Sequence, residues 1–154
     1  MPLVTLPDLK EIFAKRQRLM GLDIGTKTIG LAVSDGLGMG ASPMETLMRT
    51  KLGKDCEKLG KLVKDRQVGA LIYGLPRNMD GSEGGSVQRI KDTAAEIDIR
   101  LKLPFFYWDE RLSTVAVTRT LLEEDMSRAK RAEVVDARAA AYILQGVLDR
   151  LRHI

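Results

Sequence analysis

The amino-acid sequence predicts an α/β fold in which helices cover a mixed β-sheet. Three β-compatible segments come first, within residues 18–49, and the hydrophobic period then alternates between helix and strand. Closely spaced first strands suit an antiparallel meander, whereas strands separated by helices pair in parallel through crossovers. The predicted order is βββαβαβαα, in a single domain at residues 18–154 that follows an N-terminal extension at residues 1–17.

The extension and the meander form the first predicted elements. A short helical pattern begins at Asp8, which follows Pro7 and is the predicted N-cap residue. Residues 18–34 predict two strands joined by a tight turn near residues 25–27, because β-compatible apolar residues flank a Gly-Thr-Lys segment. Residues 42–49 predict the third strand.

The pattern changes after the meander. Apolar residues recur at helical spacing from Leu52 to Val63, which predicts an amphipathic helix. The predicted elements are a helix at 51–66, a buried strand at 68–74, a glycine-rich loop at 74–85, a helix from 86, a strand at 104–110 and helices at 112–125 and 133–151.

The composition favours an ordinary globular domain, with 154 residues of which 44% are hydrophobic and 30% charged. A single cysteine, Cys56, excludes an intrachain disulfide and a thiolate metal site. No apolar run approaches the roughly 18–20 residues that span a bilayer, and the N-terminus lacks the order of a secretory signal. We therefore expect a cytoplasmic protein with no membrane partner. The formal net charge of +4 does not by itself identify a partner.

Asp23 interrupts an apolar stretch that should form a central strand. Aspartate is a poor strand former and is costly to bury unless it is paired or bound to a cation. Alternation places Asp23 on one face with Gly21 and Gly25, and these glycines should leave open space over the carboxylate. The alternative is an aspartate that caps the following turn, although the turn begins later.

A second acid lies at the end of the strand at 104–110. Alternation places Phe106, Trp108 and Glu110 on one face and Asp109 on the other. Ligand sites in open α/β sheets form at the carboxyl ends of strands, so either acid could line a site. Both could also be solvated residues at a strand end.

Asp136 is the third acid, early in the last predicted helix. It shares helical phase with Ala140, Ile143 and Val147, and therefore with the apolar face that should pack on the sheet. The alternative is an acid that is favourable only because it lies near a helix N-terminus.

Three acids on three elements that could meet at one end of a sheet suggest an all-oxygen site for Mg²⁺ or Mn²⁺. Such a site can hold two ions, about 3.5–4 Å apart, which assist phosphodiester hydrolysis. With one cysteine and one histidine, His153 near the C-terminus, a zinc site has little support.

Two segments could bind a polyanion. The glycine-rich loop offers Arg77 and Asn78 as donors to phosphate, and residues 127–133 place Arg128, Lys130 and Arg131 in a basic loop just before Asp136. The alternatives are an ordinary surface loop and a solvated run of charge.

Four motifs, in order and spacing, resemble the YqgF (RuvX) family of ribonuclease H-like proteins. They are LDIGTKTIGLAVSD at 22–35, GLPRNMDGSEG at 74–84, DERLST at 109–114 and VVDARAAAYILQ at 134–145. The resemblance covers residues 18–151. It implies a ribonuclease H-like fold with a five-stranded mixed sheet and Asp23 on the central strand.

The resemblance also implies an activity and a site. Members of this family are described as pre-16S ribosomal RNA nucleases or Holliday junction resolvases, and their catalytic and metal-binding acids map onto Asp23, Glu110 and Asp136. The resemblance thus selects Glu110 over Asp109. We expect a nuclease dependent on two Mg²⁺ or Mn²⁺ ions that acts on precursor rRNA, with pre-ribosomal particles as partners, as a monomer or homodimer. The expected substrate contacts are Thr26, Lys27, Arg77, Asn78, Arg111, Arg128, Lys130 and Arg131.

Three other functions stay open on the sequence. A Holliday junction resolvase acting on branched DNA would use the same chemistry. A nucleotide-binding phosphotransferase is suggested because DIGTKTIG is similar to the first phosphate-binding turn of sugar kinases and actin, but that fold needs a second related domain. A non-catalytic RNA-binding or ribosome-assembly factor could keep the acids for structural reasons.

Overall fold

The computed structural model describes residues 3–76, 85–109 and 128–153, without the side chains of 85, 86 and 128–136. It confirms the α/β fold. Its elements are α1 (Leu6–Ala14), β1 (Arg18–Ile24), β2 (Thr28–Ser34), β3 (Ala41–Met48), α2 (Leu52–Asp65), β4 (Val68–Leu75), α3 (Gly85–Leu101), β5 (Phe105–Asp109) and α4 (Arg128–Leu151).

The five strands form one mixed sheet in the order β3-β2-β1-β4-β5. The short connections give antiparallel pairing of β1 with β2 and of β2 with β3. The connections that contain a helix give parallel pairing of β1 with β4 and of β4 with β5. β1 is therefore central, with its carboxyl end beside the carboxyl ends of β4 and β5.

The sheet separates two apolar layers. One face carries residues such as Leu22, Ile24 and Tyr73 and packs on α2 and α3. The other face carries residues such as Leu19 and Ala32 and packs on α1 and α4. Each strand contributes to both layers because successive side chains point to opposite faces.

The N-terminal extension begins its helix earlier than predicted. α1 starts at Leu6, its N-cap is Thr5, and Asp8 is the third helical residue of a capping box. Asp8 accepts hydrogen bonds from the Thr5 main-chain N–H at 3.0 Å and from its hydroxyl at 2.9 Å. Leu9 and Ile12 are buried in the α4-side layer, and the Val4 N–H donates to the Phe105 carbonyl at 2.9 Å. The domain boundary at residue 18 stays a prediction.

The last helix also begins earlier than predicted. α4 starts at Arg128 rather than at residue 133, so the expected basic loop at 127–133 is wrong: Arg128, Lys130 and Arg131 belong to the helix. No glycine or proline lies between residues 128 and 133, and alanine, arginine and lysine are good helix formers, so the helix includes these residues. β4 ends one residue later than expected, because Gly74 and Leu75 still pair with β5, and residues 77–84 of the predicted glycine-rich loop lie outside the described residues. The predicted helix at 112–125 lies outside the described residues.

α4 approaches the sheet most closely at Gly21. A methyl group on Gly21 would lie 2.7 Å from the Ala140 carbonyl oxygen and 3.0 Å from the Leu144 Cβ. The expectation that Gly21 leaves open space beside Asp23 is therefore wrong. This glycine instead admits the backbone of α4, and real Cβ atoms do not come this close to a carbonyl oxygen.

Substituting Gly21 tests this approach. Gly21→Ala should lower the free energy of unfolding by about 1–3 kcal/mol, because a helix backbone cannot yield as a flexible side chain does. The matched control is Gly36→Ala, where no atom lies within 4 Å of the added methyl and the change should be neutral or slightly stabilising. Urea unfolding of the two variants measures the difference, and equal stabilities would contradict the packing.

Candidate active site

Asp23 is the sixth of seven residues in β1 and lies near its carboxyl end. The residue is only 7% exposed, and its side chain lies on the face that packs on α4, as the alternation with Leu19 and Gly21 requires. The turn to β2 starts after Ile24, and the N–H that closes it, that of Gly25, donates to the Thr28 carbonyl at 2.8 Å. The turn is thus closed by a main-chain hydrogen bond one residue beyond the end of β1.

Space beside Asp23 comes from the neighbouring strands. Asp23 pairs with Gly30 on β2. On the other side, Leu22 pairs with Tyr73, which brings Asp23 level with Gly74 on β4. Gly30 and Gly74 both belong to the α4 face by alternation, because Ala32 and Ile72 are in that layer. No side chain from either adjacent strand therefore stands next to the carboxylate at its own level.

The turn after Asp23 exposes two of the predicted substrate contacts, Thr26 and Lys27. The turn is held from outside by Arg49, which follows β3. Its main-chain N–H donates to the Lys27 carbonyl at 2.8 Å, and its Nη1 donates to the Gly25 carbonyl at 2.7 Å. The sequence analysis missed Arg49, because nothing local marks the residue after a strand as a partner of a turn 24 positions earlier.

The direction of α4 is fixed by its contacts at two levels. Gln145 on α4 accepts, at its Oε1, a hydrogen bond from the Ala41 N–H at 3.0 Å. Ala41 on β3 pairs with Ser34 on β2. The Ser34 hydroxyl oxygen in turn accepts a hydrogen bond from the N–H of Leu19, near the start of β1. Gln145 thus belongs to the amino end of β1, whereas Ala140 contacts Gly21 further along. α4 runs antiparallel to β1.

This direction places the main chain of Asp136 towards the Asp23 end of β1, since it precedes Ala140 by one helical turn. Asp136 is the ninth residue of α4, so a location in the first turn does not explain it. The other residues of its predicted apolar face, Ala140, Ile143 and Val147, are fully buried. The side chain of Asp136 lies outside the described residues.

β5 fixes the face of one of the two candidate acids at its end, Asp109. Phe106 and Trp108 belong to the α4-side layer, and Phe105 and Tyr107 to the opposite one, as alternation predicted. Asp109 is the last residue of β5 and pairs with Leu75. By this alternation Asp109 lies on the face of the sheet opposite to that of Asp23. Glu110 lies outside the described residues.

The side chains of the other predicted substrate contacts lie outside the part of the chain that the structure describes. Arg77, Asn78 and Arg111 lie outside the described residues, as do the side chains of Arg128, Lys130 and Arg131. Among the side chains that the structure describes, no three histidine, cysteine, aspartate or glutamate residues form a group able to hold a metal ion. None of the described helices is long and apolar enough to cross a lipid bilayer.

Other ionisable groups of the core are poor candidates for the chemistry. Burial raises the pKa of Tyr73 far above its ordinary value, and burial also raises the pKa values of Tyr107 and of the Cys56 thiol. These groups stay protonated near neutral pH and belong to the layer of α2 and α3, on the opposite face from Asp23. Among the described residues, these three groups are therefore poorly suited to acid–base or nucleophilic chemistry near neutral pH.

Comparison with known proteins gives consistent results. A protein of Methylocella silvestris named "Putative pre-16S rRNA nuclease" is 55% identical over 152 residues, which are 99% of this chain and 94% of that protein. A protein of the same name from Beijerinckia indica is 54% identical over 98% of this chain and 90% of its own length. The structure of T. thermophilus RuvC in complex with Holliday junction substrate superposes with a TM-score of 0.55 at 12% identity, over 88% of this chain and 96% of that one.

The likeness to RuvC confirms the ribonuclease H-like fold that the motifs implied. The profile of a family described as "RuvX: Holliday junction resolvase" matches residues 17–150, nearly the whole chain. On this match and on the identity to its relatives, the chain belongs to the RuvX family.

Proposed function

We propose that this protein is a metal-dependent endonuclease that cleaves phosphodiester bonds in structured RNA, at the 5′ end of precursor 16S rRNA. The observation that carries the proposal is Asp23, an acidic residue 7% exposed near the carboxyl end of the central strand. Aspartate is a poor strand former, and carboxylate oxygens are the ligands that divalent cations prefer, so we infer a function for an aspartate in an otherwise apolar central strand. The names of the relatives supply the substrate.

The proposed metal ligands are Asp23, Glu110 and Asp136. Carboxylate oxygens are the ligands that Mg²⁺ and Mn²⁺ prefer, and the glycines at 30 and 74 leave room beside Asp23. The donor set therefore fits two divalent ions. When bound, such ions activate water and stabilise the leaving oxygen of a phosphodiester.

The residues of the chain itself bind and orient the substrate. Asp23 is held in one direction because β1 is hydrogen-bonded on both sides, which fixes the position of its carboxylate. Lys27, exposed on the next turn, places a cation where a neighbouring phosphate of the substrate would lie. Arg77, Asn78, Arg111, Arg128, Lys130 and Arg131 remain proposed contacts to the same backbone.

A Holliday junction resolvase is the second candidate, since the family carries that description and RuvC shares the fold. The two functions use the same hydrolysis and differ in the nucleic acid that the surface selects. The proposed cellular setting of the RNA nuclease is the cytoplasm, with pre-ribosomal particles as partners. Monomer and homodimer both stay open as predictions.

Asp23→Asn should abolish cleavage of a precursor 16S rRNA fragment in Mg²⁺, by at least about 1000-fold, because a lost carboxylate ligand costs several kcal/mol of transition-state stabilisation. The matched control is Asp65→Asn, an exposed aspartate at the opposite end of the sheet, which should cleave as the wild type does. Full activity in Asp23→Asn would overturn the mechanism.

Assaying the same proteins on a four-way DNA junction separates the two candidate functions. Faster cleavage of the RNA supports the proposal, whereas symmetrical cuts in the junction alone would assign a resolvase. Failure of the wild type on both substrates would favour the non-catalytic assembly factor.

Divalent ions should stabilise the folded protein through the same carboxylates. At Mn²⁺ concentrations about ten times its dissociation constant, mass action contributes about 1.4 kcal/mol, or a rise of roughly 3–6 °C in Tm. The rise should be much smaller in Asp23→Asn and unchanged in Asp65→Asn. Calorimetric scans with and without Mn²⁺ give each increment, and equal increments in all three proteins would exclude Asp23 as a ligand.

Paired substitutions at the end of β5 test the choice between its two acids. Glu110→Gln should lose Mg²⁺-dependent cleavage to the same extent as Asp23→Asn, whereas Asp109→Asn should keep activity within a few-fold. The reason is the alternation of β5, which puts Trp108 on the Asp23 face and Asp109 out of phase with it. Cleavage rates at saturating Mg²⁺ measure both, and the reverse ranking would assign Asp109 to the site.

A further inference from the structure

Arg49 ties three parts of the molecule together at the carboxyl end of β1. It is half-buried and follows β3 directly. Besides its two bonds to the turn, at the Lys27 and Gly25 carbonyls, its Nη2 donates to Thr93 Oγ1 on α3 at 3.4 Å. The two nitrogens of one planar guanidinium thus reach a turn and a helix at once.

The α3 end of this connection is itself fixed. Thr93 is 5% exposed, and its hydroxyl donates to the Arg89 carbonyl one turn earlier at 3.0 Å while it accepts from Arg49. A buried hydroxyl with both bonds satisfied is a rigid attachment point. Arg49 therefore links the turn to α3, through a buried threonine whose hydroxyl is itself hydrogen-bonded.

The turn that Arg49 holds leads directly from Asp23 and exposes Thr26 and Lys27. Its closure by the Gly25 to Thr28 bond leaves the Gly25 and Lys27 carbonyls directed at Arg49, and both are used. Loss of the Arg49 side chain would remove the bond to the Gly25 carbonyl and the link to Thr93, whereas the main-chain bond from the Arg49 N–H to the Lys27 carbonyl would stay. Loss of an ordered backbone costs about 1–2 kcal/mol per residue to restore on binding.

We propose that Arg49 is a positioning residue for substrate binding, which holds the Gly25–Thr28 turn so that Lys27 meets a phosphate adjacent to the one at Asp23. This inference rests on the proposed nuclease function and adds the residue that orders its phosphate contact. Arg49 acts through Lys27, since its own guanidinium is engaged with Gly25 and Thr93.

A double-mutant cycle distinguishes positioning from direct contact. The probe is a fluorescein-labelled RNA hairpin that contains the 5′ precursor junction of 16S rRNA, and binding is followed by anisotropy in the Asp23→Asn background so that nothing is cleaved. Lys27→Ala and Arg49→Met should each weaken binding about fivefold. The double variant should bind no more weakly than the weaker single variant. Arg66→Met, an exposed arginine at the far end of β4, is the matched control for loss of charge and should bind normally.

The salt dependence of binding gives a second readout. Lys27→Ala should reduce the slope of log K against log salt by roughly 0.7–0.9, the value for one phosphate contact. Arg49→Met should cause no further reduction in the Lys27→Ala protein. Multiplicative losses of affinity with a further drop in slope would show that Arg49 contacts phosphate itself, and unchanged affinity in Arg49→Met would show no role. Either result overturns the proposal.

Arg49→Lys covers the case in which Arg49→Met does not fold. Arg49→Lys keeps the charge, but a lysine cannot reach both the Gly25 carbonyl and Thr93. It should therefore weaken RNA binding when Lys27 is present and have no further effect in the Lys27→Ala protein. Wild-type affinity in Arg49→Lys would overturn the proposal. Amide exchange at Gly25 should be faster in the Arg49 variant than in Arg66→Met, and equal rates would also overturn the proposal.

If the RNA does not bind the wild type, the proposed substrate fails, and the double-mutant cycle is then measured on the four-way DNA junction. Absence of binding there too would overturn both proposals.

Discussion

The close packing of α4 on β1 is the constraint on which the proposed site depends. Gly21 allows the Ala140 carbonyl to approach to a distance that no side chain would permit. The same contact sets how far the main chain of α4 lies from the sheet, and α4 carries Asp136 one turn away. Fully buried Leu144 and Val147 continue this packing towards the other end of the helix. The geometry available to the carboxylates is thus set by backbone packing, which is stiff because protein interiors are close-packed.

The two faces of the sheet differ in composition: one packs an apolar and aromatic layer, and the other carries the proposed catalytic carboxylate. On one side, Tyr73, Phe105 and Tyr107 form an aromatic cluster with ring centroids 5.3–6.0 Å apart, packed with the layer of α2 and α3. On the other side the sheet presents Asp23 between two glycine positions. Apolar burial on the first face offsets the cost of placing a carboxylate in a central strand on the second. A strand with both faces apolar would be more stable and could not bind a cation.

Much of this arrangement is predictable from the sequence, and the limits have physical causes. Alternation placed Asp23 and Trp108 on their faces, and helical phase placed Ala140, Ile143 and Val147 against the sheet, because both periodicities are local properties of the chain. The prediction that Gly21 leaves space beside Asp23 was wrong, because this glycine admits the backbone of α4 instead. Gly30 could have been found from the register of the hairpin, but Gly74 depends on the parallel register with β4, which no local pattern gives. Arg49 was missed for the same reason, since its partners are 24 and 44 residues away in the chain. The start of α4 was misplaced because a basic run suits a solvated helix as well as a loop.

The turn after β1 sets the register between β1 and β2, and the position of Asp23 depends on that register. The bond between Gly25 and Thr28 pairs Ile24 with Ile29 and hence Asp23 with Gly30. A slip of one residue in β1 would place Asp23 in the aromatic layer and turn Leu22 towards α4, since side chains alternate with a period of two. The slip would bury the Asp23 charge in an apolar layer and leave the α4 face of the sheet without its carboxylate. Arg49 holds the turn from outside, so a single side chain supports the register of the central strand as well as the exposed residues of the turn. The contact of Arg49 with the turn therefore supports both the stability of the β1–β2 hairpin and the orientation of Lys27, the proposed phosphate contact.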